Sequence, residues 1–409
     1  MLTSYTELAS RIDGNPLDGV AYRALAQQLQ LDQDTQHAAL ALQLAGRAFM
    51  ISGHLPMAVV AAKELSALDR TASERLIDDL AESFGKASRY VEAVVPPAPP
   101  VMPTGAPLAA PPSPQGKDRA VAALQSAFAR LHRPYPLFHS LSKEHFRRLV
   151  SFLQILDCPA GTRLIELNSQ GETCYIIANG HVRISRPASS ESPVEVPLNL
   201  LGPGAFFGEM ALLTNTPRSA RATCEVDCLL LELTRQGLEE LAAAEPSFKA
   251  VLAEHTRERL LHNLALTSPL LAGLGMSARE ALLRRFTPRT FDAGQVVIEE
   301  GAANDTLFVL ASGQLSVEKA TERQAAFQVA VLHPGDVVGE ISVLTLRPAT
   351  ATVRAITTAV TLTVCRADFE AIAQEFPAVL EHLKQVATVR EQDLLQVIAR
   401  QNEAKHYLL

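Results

Sequence analysis

Hydrophobic positions fall into three regimes along the chain. Up to about residue 92 they recur at helical spacing: Tyr22, Leu25, Ala26 and Leu29 share one face, as do Leu42, Ala45 and Phe49, and later Val59, Ala62 and Leu65. From Pro96 to Pro114 about half the residues are proline, which rules out a helix or central strand and predicts an extended, semi-rigid spacer. Beyond it an amphipathic helix (Phe138 to Leu153) gives way to period-two strands punctuated by glycine, and then to helical sequence near Leu238–Leu266.

That last arrangement occurs twice. A second amphipathic helix spans Leu274 to Phe286, and Gly161, Gly180 and Gly204 are answered by Gly294, Gly313 and Gly335 in equivalent turns. Tyr175-Ile176-Ile177 is answered by Phe308-Val309-Leu310, each run followed by a glycine turn. Helical sequence near Asp368–Glu403 closes the second copy. The predicted fold class is α+β: an N-terminal helical domain and two antiparallel β jelly-roll barrels with flanking helices. The predicted boundaries are 1–92 for the helical domain, 93–116 for the linker, 117–266 for the first barrel, and 267–409 for the second with its terminal helix.

The chemistry concentrates in one short run, Phe207-Gly208-Glu209-Met210-Ala211-Leu212-Leu213, closed by Pro217-Arg218-Ser219-Ala220. Gly208 lets backbone N–H groups approach an anion, since a Cβ would hold it off. Glu209, acceptor-only when ionised, suits a sugar hydroxyl, and Arg218 offers a planar fork of donors that matches a phosphate. Together they suit a cyclic phosphodiester on a ribose. The run resembles the phosphate-binding cassette of the cyclic nucleotide-binding domain family. That resemblance implies Glu209 on the ribose 2′-hydroxyl, Arg218 on the cyclic phosphate, and backbone donors from Gly208 to Ala211. Phe207, Met210, Ser219 and Ala220 complete the expected lining.

The second copy is incomplete. Val338-Gly339-Glu340-Ile341-Ser342 keeps the glycine and the carboxylate, but Pro348-Ala349-Thr350-Ala351 carries alanine at the arginine position. Arg347 is the available cation, but it precedes Pro348, and a residue before proline is pushed to extended backbone. A lost bidentate arginine weakens binding roughly ten- to a hundredfold. The expectation is a competent first site, with the second weak, altered in ligand, or structural.

Composition narrows the classes. With 47% hydrophobic and 20% charged residues the chain reads as globular, and a net charge of −7 argues against a nucleic-acid surface. Five scattered cysteines imply a reducing compartment, with Cys224 and Cys228 as buried small hydrophobes. No secretory signal or membrane span is read, so the expected location is cytoplasmic. The 11 histidines show no metal-ligand grouping and no activated nucleophile neighbours the cassette, so the chain is not expected to be an enzyme. After the second barrel the chain is too short for the helix-turn-helix of catabolite-activator-type regulators.

The layout resembles the regulatory subunit of cyclic-AMP-dependent protein kinase, although no arginine-arginine inhibitor-like sequence lies between Lys117 and His139. The expected function is a cyclic nucleotide sensor, with cyclic AMP as ligand and cyclic GMP as the alternative. A kinase-inhibitor role and a scaffold with a degenerate second site are the other readings. The helical domain is the expected docking surface for a protein partner. Spacing around Gly46, Phe49, Gly53 and Ala58 resembles one tetratricopeptide hairpin, an ordinary bundle being the alternative. The last helix carries an apolar stripe (Leu380, Leu383, Val386, Leu394, Val397, Ile398) interrupted by Arg390. It either covers its own barrel or pairs with a second copy.

Overall fold

The computed structural model describes residues 4–86, 88, 135–187, 195–271, 273–321 and 324–406. The proline-rich linker and most of the segment searched for an inhibitor-like sequence lie outside the described residues.

Five helices open the chain: α1 (Tyr5–Gly14), α2 (Gly19–Leu31), α3 (Thr35–Ile51), α4 (Leu55–Ser66) and α5 (Arg70–Phe84). Aspartates set three of the starts, because Asp18, Asp34 and Asp69 accept from the backbone N–H groups of Ala21, His37 and Ala72. Gly46 sits where a Cβ would fall 2.4 Å from Leu76 Cδ2, so α3 and α5 approach closely only because it has none.

Helices α6 (Pro136–His139) and α7 (Lys143–Phe152) lead into the first set of strands: β1 (Gln154–Cys158), β2 (Arg163–Ile165), β3 (Thr173–Asn179), β4 (Val182–Pro187), β5 (Glu195–Leu201), β6 (Phe206–Phe207), β7 (Arg221–Cys224) and β8 (Cys228–Thr234). They form two facing four-stranded antiparallel sheets, β1-β8-β3-β6 and β2-β7-β4-β5. The architecture is thus a jelly-roll sandwich and not a closed barrel. Within it the cassette helix α8 (Glu209–Thr214) links β6 to β7, and α9 (Arg235–Ala244) and the long α10 (Pro246–Thr267) follow.

The second copy repeats this after a short 3₁₀ turn, Pro269–Leu271, and α11 (Met276–Leu283). Its strands are β9 (Thr287–Phe291), β10 (Val296–Ile298), β11 (Thr306–Ser312), β12 (Leu315–Thr321), β13 (Gln324–Leu332), β14 (Val337–Val338), β15 (Thr352–Ala355) and β16 (Ala359–Cys365). The sheets are β14-β11-β16-β9 and β10-β15-β12-β13. Its cassette helix is α12 (Glu340–Thr345), and α13 (Arg366–Glu375) and α14 (Pro377–His406) end the described chain.

The helical domain and the first jelly roll share one core. Val59, Val60, Leu65 and Leu80 belong to the same buried cluster as Phe146, Leu149, Cys174, Ile176 and Leu231. Polar contacts frame the seam: Lys63 Nζ donates to the Val150 carbonyl at 2.9 Å, Tyr135 Oη to the Gly53 carbonyl at 3.0 Å, and Lys143 to Glu82 at 2.7 Å. Burial depresses the Lys63 ammonium below the usual lysine range. The expectation of a docking module set apart by a linker therefore gives way to a module packed on the sensor fold.

Of the last helix, Val379 and Leu383 are buried in the second roll's core and Leu380 and Val386 pack against it. The helix therefore covers its own barrel over that stretch. The side chains of Val397 and Ile398 lie outside the described residues.

Candidate functional site: the two phosphate-binding cassettes

In the first cassette the chain turns through Gly208 at φ 86°, a left-handed conformation that costs glycine little, and enters α8 at Glu209. The turn carries Glu209 inward until only 1% of it is exposed. Neither carboxylate oxygen has a hydrogen-bond partner. Two basic side chains of α10 approach it, His255 Nε2 at 3.7 Å and Arg259 Nε at 3.8 Å, both beyond hydrogen-bond reach. A buried carboxylate without donors costs free energy, so its place is that of a group awaiting one.

Arg218 is buried beside it. Its Nη1 donates to the Gly208 carbonyl at 2.5 Å and its Nη2 to the Thr173 carbonyl at 2.6 Å. Desolvation pulls its affinity for the proton below the ordinary arginine range, only partly offset by Tyr175, Cys174 and Glu209. The guanidinium fits because Gly171 has no side chain: a Cβ there would lie 2.8 Å from the Ala211 Cβ and 3.1 Å from Arg218 Cζ.

Phe207, Gly208, Glu209, Met210, Ala211, Arg218, Ser219 and Ala220 all line one cavity of about 600 Å³, its open mouth included. Ile184 and Asn199 form one wall; Arg259, His262 and Asn263 of α10 form another. Behind this wall, burial depresses the His255 imidazole below the usual histidine range, against the pull of Glu209. The site thus offers a fixed cation, a buried acceptor and an apolar slot, which together fit one anionic group, one hydroxyl and one flat ring.

The second cassette turns the same way, Gly339 having φ 89° and Glu340 being buried. Here the carboxylate is engaged: Arg390 Nη1, reaching in from α14, stands 3.0 Å from Glu340 Oε1 and also donates to the Val337 carbonyl. Ala349 lies in the apolar core with Val338, Ile298 and Leu310. Arg347 does not replace it; its side chain is 70% exposed and approaches Glu391 at 3.8 Å. Ile341 and Ser342 lie on α12, with the Ser342 carbonyl accepting from Arg366 Nη2 at 2.8 Å. The Thr350 carbonyl accepts from Lys319 Nζ at 2.7 Å, and Ala351 is buried.

The cyclic nucleotide-binding domain family model matches residues 155–245 and 288–376. The chain carries two cyclic nucleotide-binding domains in tandem. Similar proteins include the cAMP-dependent protein kinase regulatory subunit of Yarrowia lipolytica, 31% identical over 251 residues (61% of this chain and 61% of the relative). That of Eremothecium gossypii is 28% identical over 235 residues, or 57% and 47% of the two chains. This chain therefore spans roughly half to three fifths of those relatives' lengths. Among solved structures, the regulatory domain of Toxoplasma gondii PKA with cAMP is 24% identical, with a TM-score of 0.31 over 62% of this chain and 92% of that one.

The sequence pointed to a helix near Leu238–Leu261 closing over the base, but not to Arg259, His262 and Asn263 as its contacts, nor to the roles of Gly171 and Arg390. A signal was available. Arg259 follows Glu209 by the same number of residues as Arg390 follows Glu340, which aligns the two lid helices.

The first domain's cassette also meets the second domain directly. Met210 packs against the second domain's core. Thr214 Oγ1 and Thr216 Oγ1 are 2.7 Å apart, and Ser312 Oγ of β11 lies 2.6 Å from Thr216 Oγ1. Arg186 Nη1 reaches the Pro334 carbonyl at 2.9 Å.

Proposed function

We propose that this chain is a cyclic nucleotide sensor that binds its ligand, cyclic AMP, in the first domain and passes the binding event to the second. The observation that carries this reading is the buried Glu209 carboxylate, without a donor, beside a desolvated Arg218 in the lining of one cavity. In this reading Arg218 holds the cyclic phosphate with backbone N–H groups of the Gly208–Ala211 turn. Glu209 accepts from the ribose 2′-hydroxyl, and Ile184, Asn199 and Asn263 border the base. Cyclic GMP is the alternative ligand, with Ser219 within the cassette to meet a guanine edge.

The relatives' names support a role as a regulatory, non-catalytic subunit and a kinase catalytic chain as partner. The helical domain is the surface we assign to a further protein partner, and the last helix, α14, to pairing with a second copy. We place the protein in the cytoplasm. Among the described residues no helix is long and apolar enough to cross a membrane. Calorimetry with cyclic AMP, cyclic GMP and a cyclic dinucleotide tests the reading. One tight cyclic mononucleotide site per chain is expected, and no binding of any of the three would refute it.

A further inference from the structure

The second cassette has not simply lost its arginine; another side chain stands in the guanidinium's place. Gly171 lies two residues before Thr173, the first residue of β3, and Asn304 two before Thr306, the first residue of β11. Cassette hydrogen bonds fix the same correspondence: Arg218 N donates to the Ser169 carbonyl and Ala349 N to the Ala302 carbonyl, both at 2.9 Å. Where Arg218 Nη2 bonds the Thr173 carbonyl, Asn304 Nδ2 bonds the Thr306 carbonyl at 2.8 Å. A Cβ on Gly208 would fall 3.1 Å from Arg218 Nη1, and one on Gly339 would fall 2.8 Å from Asn304 Nδ2. One cradle therefore holds a guanidinium that enters from the cassette, and the other holds a carboxamide that enters from the strand.

We infer that Gly171 and Asn304 are the specificity-determining pair of this chain. Glycine admits the phosphate-binding cation in the first domain. In the second, asparagine fills its berth with a neutral donor already committed to Thr306. This inference rests on the reading of the first cassette as a nucleotide site.

Charge points the same way. In the second cradle Arg390 is paired with Glu340, and Lys319 Nζ is 2.6 Å from Glu300. Those two cations are neutralised within the chain, and a third, Arg366, has its Nη2 on the Ser342 carbonyl and beside that of Asn304, as Arg235 holds the Leu212 and Gly171 carbonyls in the first domain. Exchange of a charged fork for an amide removes the charge-assisted bonds, which are about twice as strong as neutral ones. The second domain is then a folded copy that does not take cyclic nucleotide.

The test is an exchange of the two residues, read in the full chain by calorimetry with cyclic AMP and by thermal melting. Gly171→Asn should weaken first-site binding at least about tenfold, as loss of a charge-assisted contact does. Ala349→Arg alone should melt earlier, with no second site, because Asn304 occupies the berth. Asn304→Gly with Ala349→Arg should melt higher than Ala349→Arg alone and bind a second equivalent. Unaltered binding by Gly171→Asn would overturn the assignment. So would a melting shift for the double variant equal to the sum of the shifts of Ala349→Arg and Asn304→Gly, each measured alone. The melting arm needs no ligand, so it decides the Asn304 assignment even where the wild-type chain binds nothing and the sensor reading fails.

Discussion

Removal of the Arg218 guanidinium is the sharpest perturbation of the first domain. In Arg218→Ala the backbone bonds of residue 218 remain, since its N–H and carbonyl pair with Ser169 and Asn168. Two carbonyls, Gly208 and Thr173, lose their side-chain donor. An orphaned buried carbonyl costs about 1–3 kcal/mol, but the variant also relieves the desolvation of a buried cation, and these oppose each other. Stability without ligand should therefore move by only about 1–2 kcal/mol. Affinity has no such offset: a charge-assisted contact of about 1.5–3 kcal/mol is roughly ten- to more than a hundredfold in Kd. Arg218→Lys should fall between, keeping the charge but losing the fork that holds two carbonyls while facing a phosphate. Calorimetry at fixed salt, with the melting temperature of the ligand-free variant as control, reads both effects. A Kd within threefold of wild type for Arg218→Ala, with the fold intact, would show that the phosphate is not held there.

Deletion of residues 1–88 should leave a chain that aggregates or melts early, because it strips Val59, Val60 and Leu65 from a core shared with Phe146 and Ile176. A stable monomer by size-exclusion chromatography would contradict the shared core. Thr216→Val leaves the buried Ser312 hydroxyl without its partner and should cost about 1–3 kcal/mol, while Thr216→Val with Ser312→Ala should recover most of it. Chemical denaturation of the four variants measures the coupling. His255 has its folded-state value pulled below the ordinary one, so the unfolded chain takes up the proton first. Its contribution therefore makes stability fall as pH drops below about 6.5 toward the folded value, and His255→Gln should flatten that limb of the pH–stability profile.

The fold was legible because both of its periods are strong. Among the strands, continuous apolar runs such as Tyr175-Ile176-Ile177 and Phe308-Val309-Leu310 become the central strands β3 and β11, buried on both faces. The cassette residues are close in sequence, and eight of them, between Phe207 and Ala220, line one cavity. What was not legible depends on distance along the chain. His255, Arg259 and Asn263 reach the site only because α10 runs back across it, a matter of packing that no short window records. Arg390 read as a break in an apolar stripe, and only the fold shows that the break is where α14 meets Glu340. The helical domain was placed correctly as helical, but its seat on the first jelly roll was hidden, since a buried alanine- and valine-rich face reads alike whether it meets a helix or a sheet.

The long helix α10 explains how a ligand in the first domain would reach the second. Its N-terminal half, with Phe248 and Leu252, is buried in the core that the first jelly roll shares with the helical domain. Its C-terminal half, with Leu260, Leu261, Leu264 and Ala265, is buried in the core of the second. Arg259, His262 and Asn263 face the cavity where the two halves meet, and His262 Nδ1 also lies 3.3 Å from Glu280 of α11. Close-packed cores do not deform smoothly, so a tilt of this helix must repack one core or carry the second domain with it. A ligand favours the tilted state only to the extent that it binds that state more tightly; a shift from 1:99 to 99:1 needs about 5.5 kcal/mol of differential affinity. Arg259 could supply part of it by closing its 3.8 Å gap to Glu209. The matching contact in the second domain, Arg390 to Glu340 at 3.0 Å, is already closed. The two domains thus differ where a switch needs them to: one lid has a bond still to make, and the other has made it within its own chain.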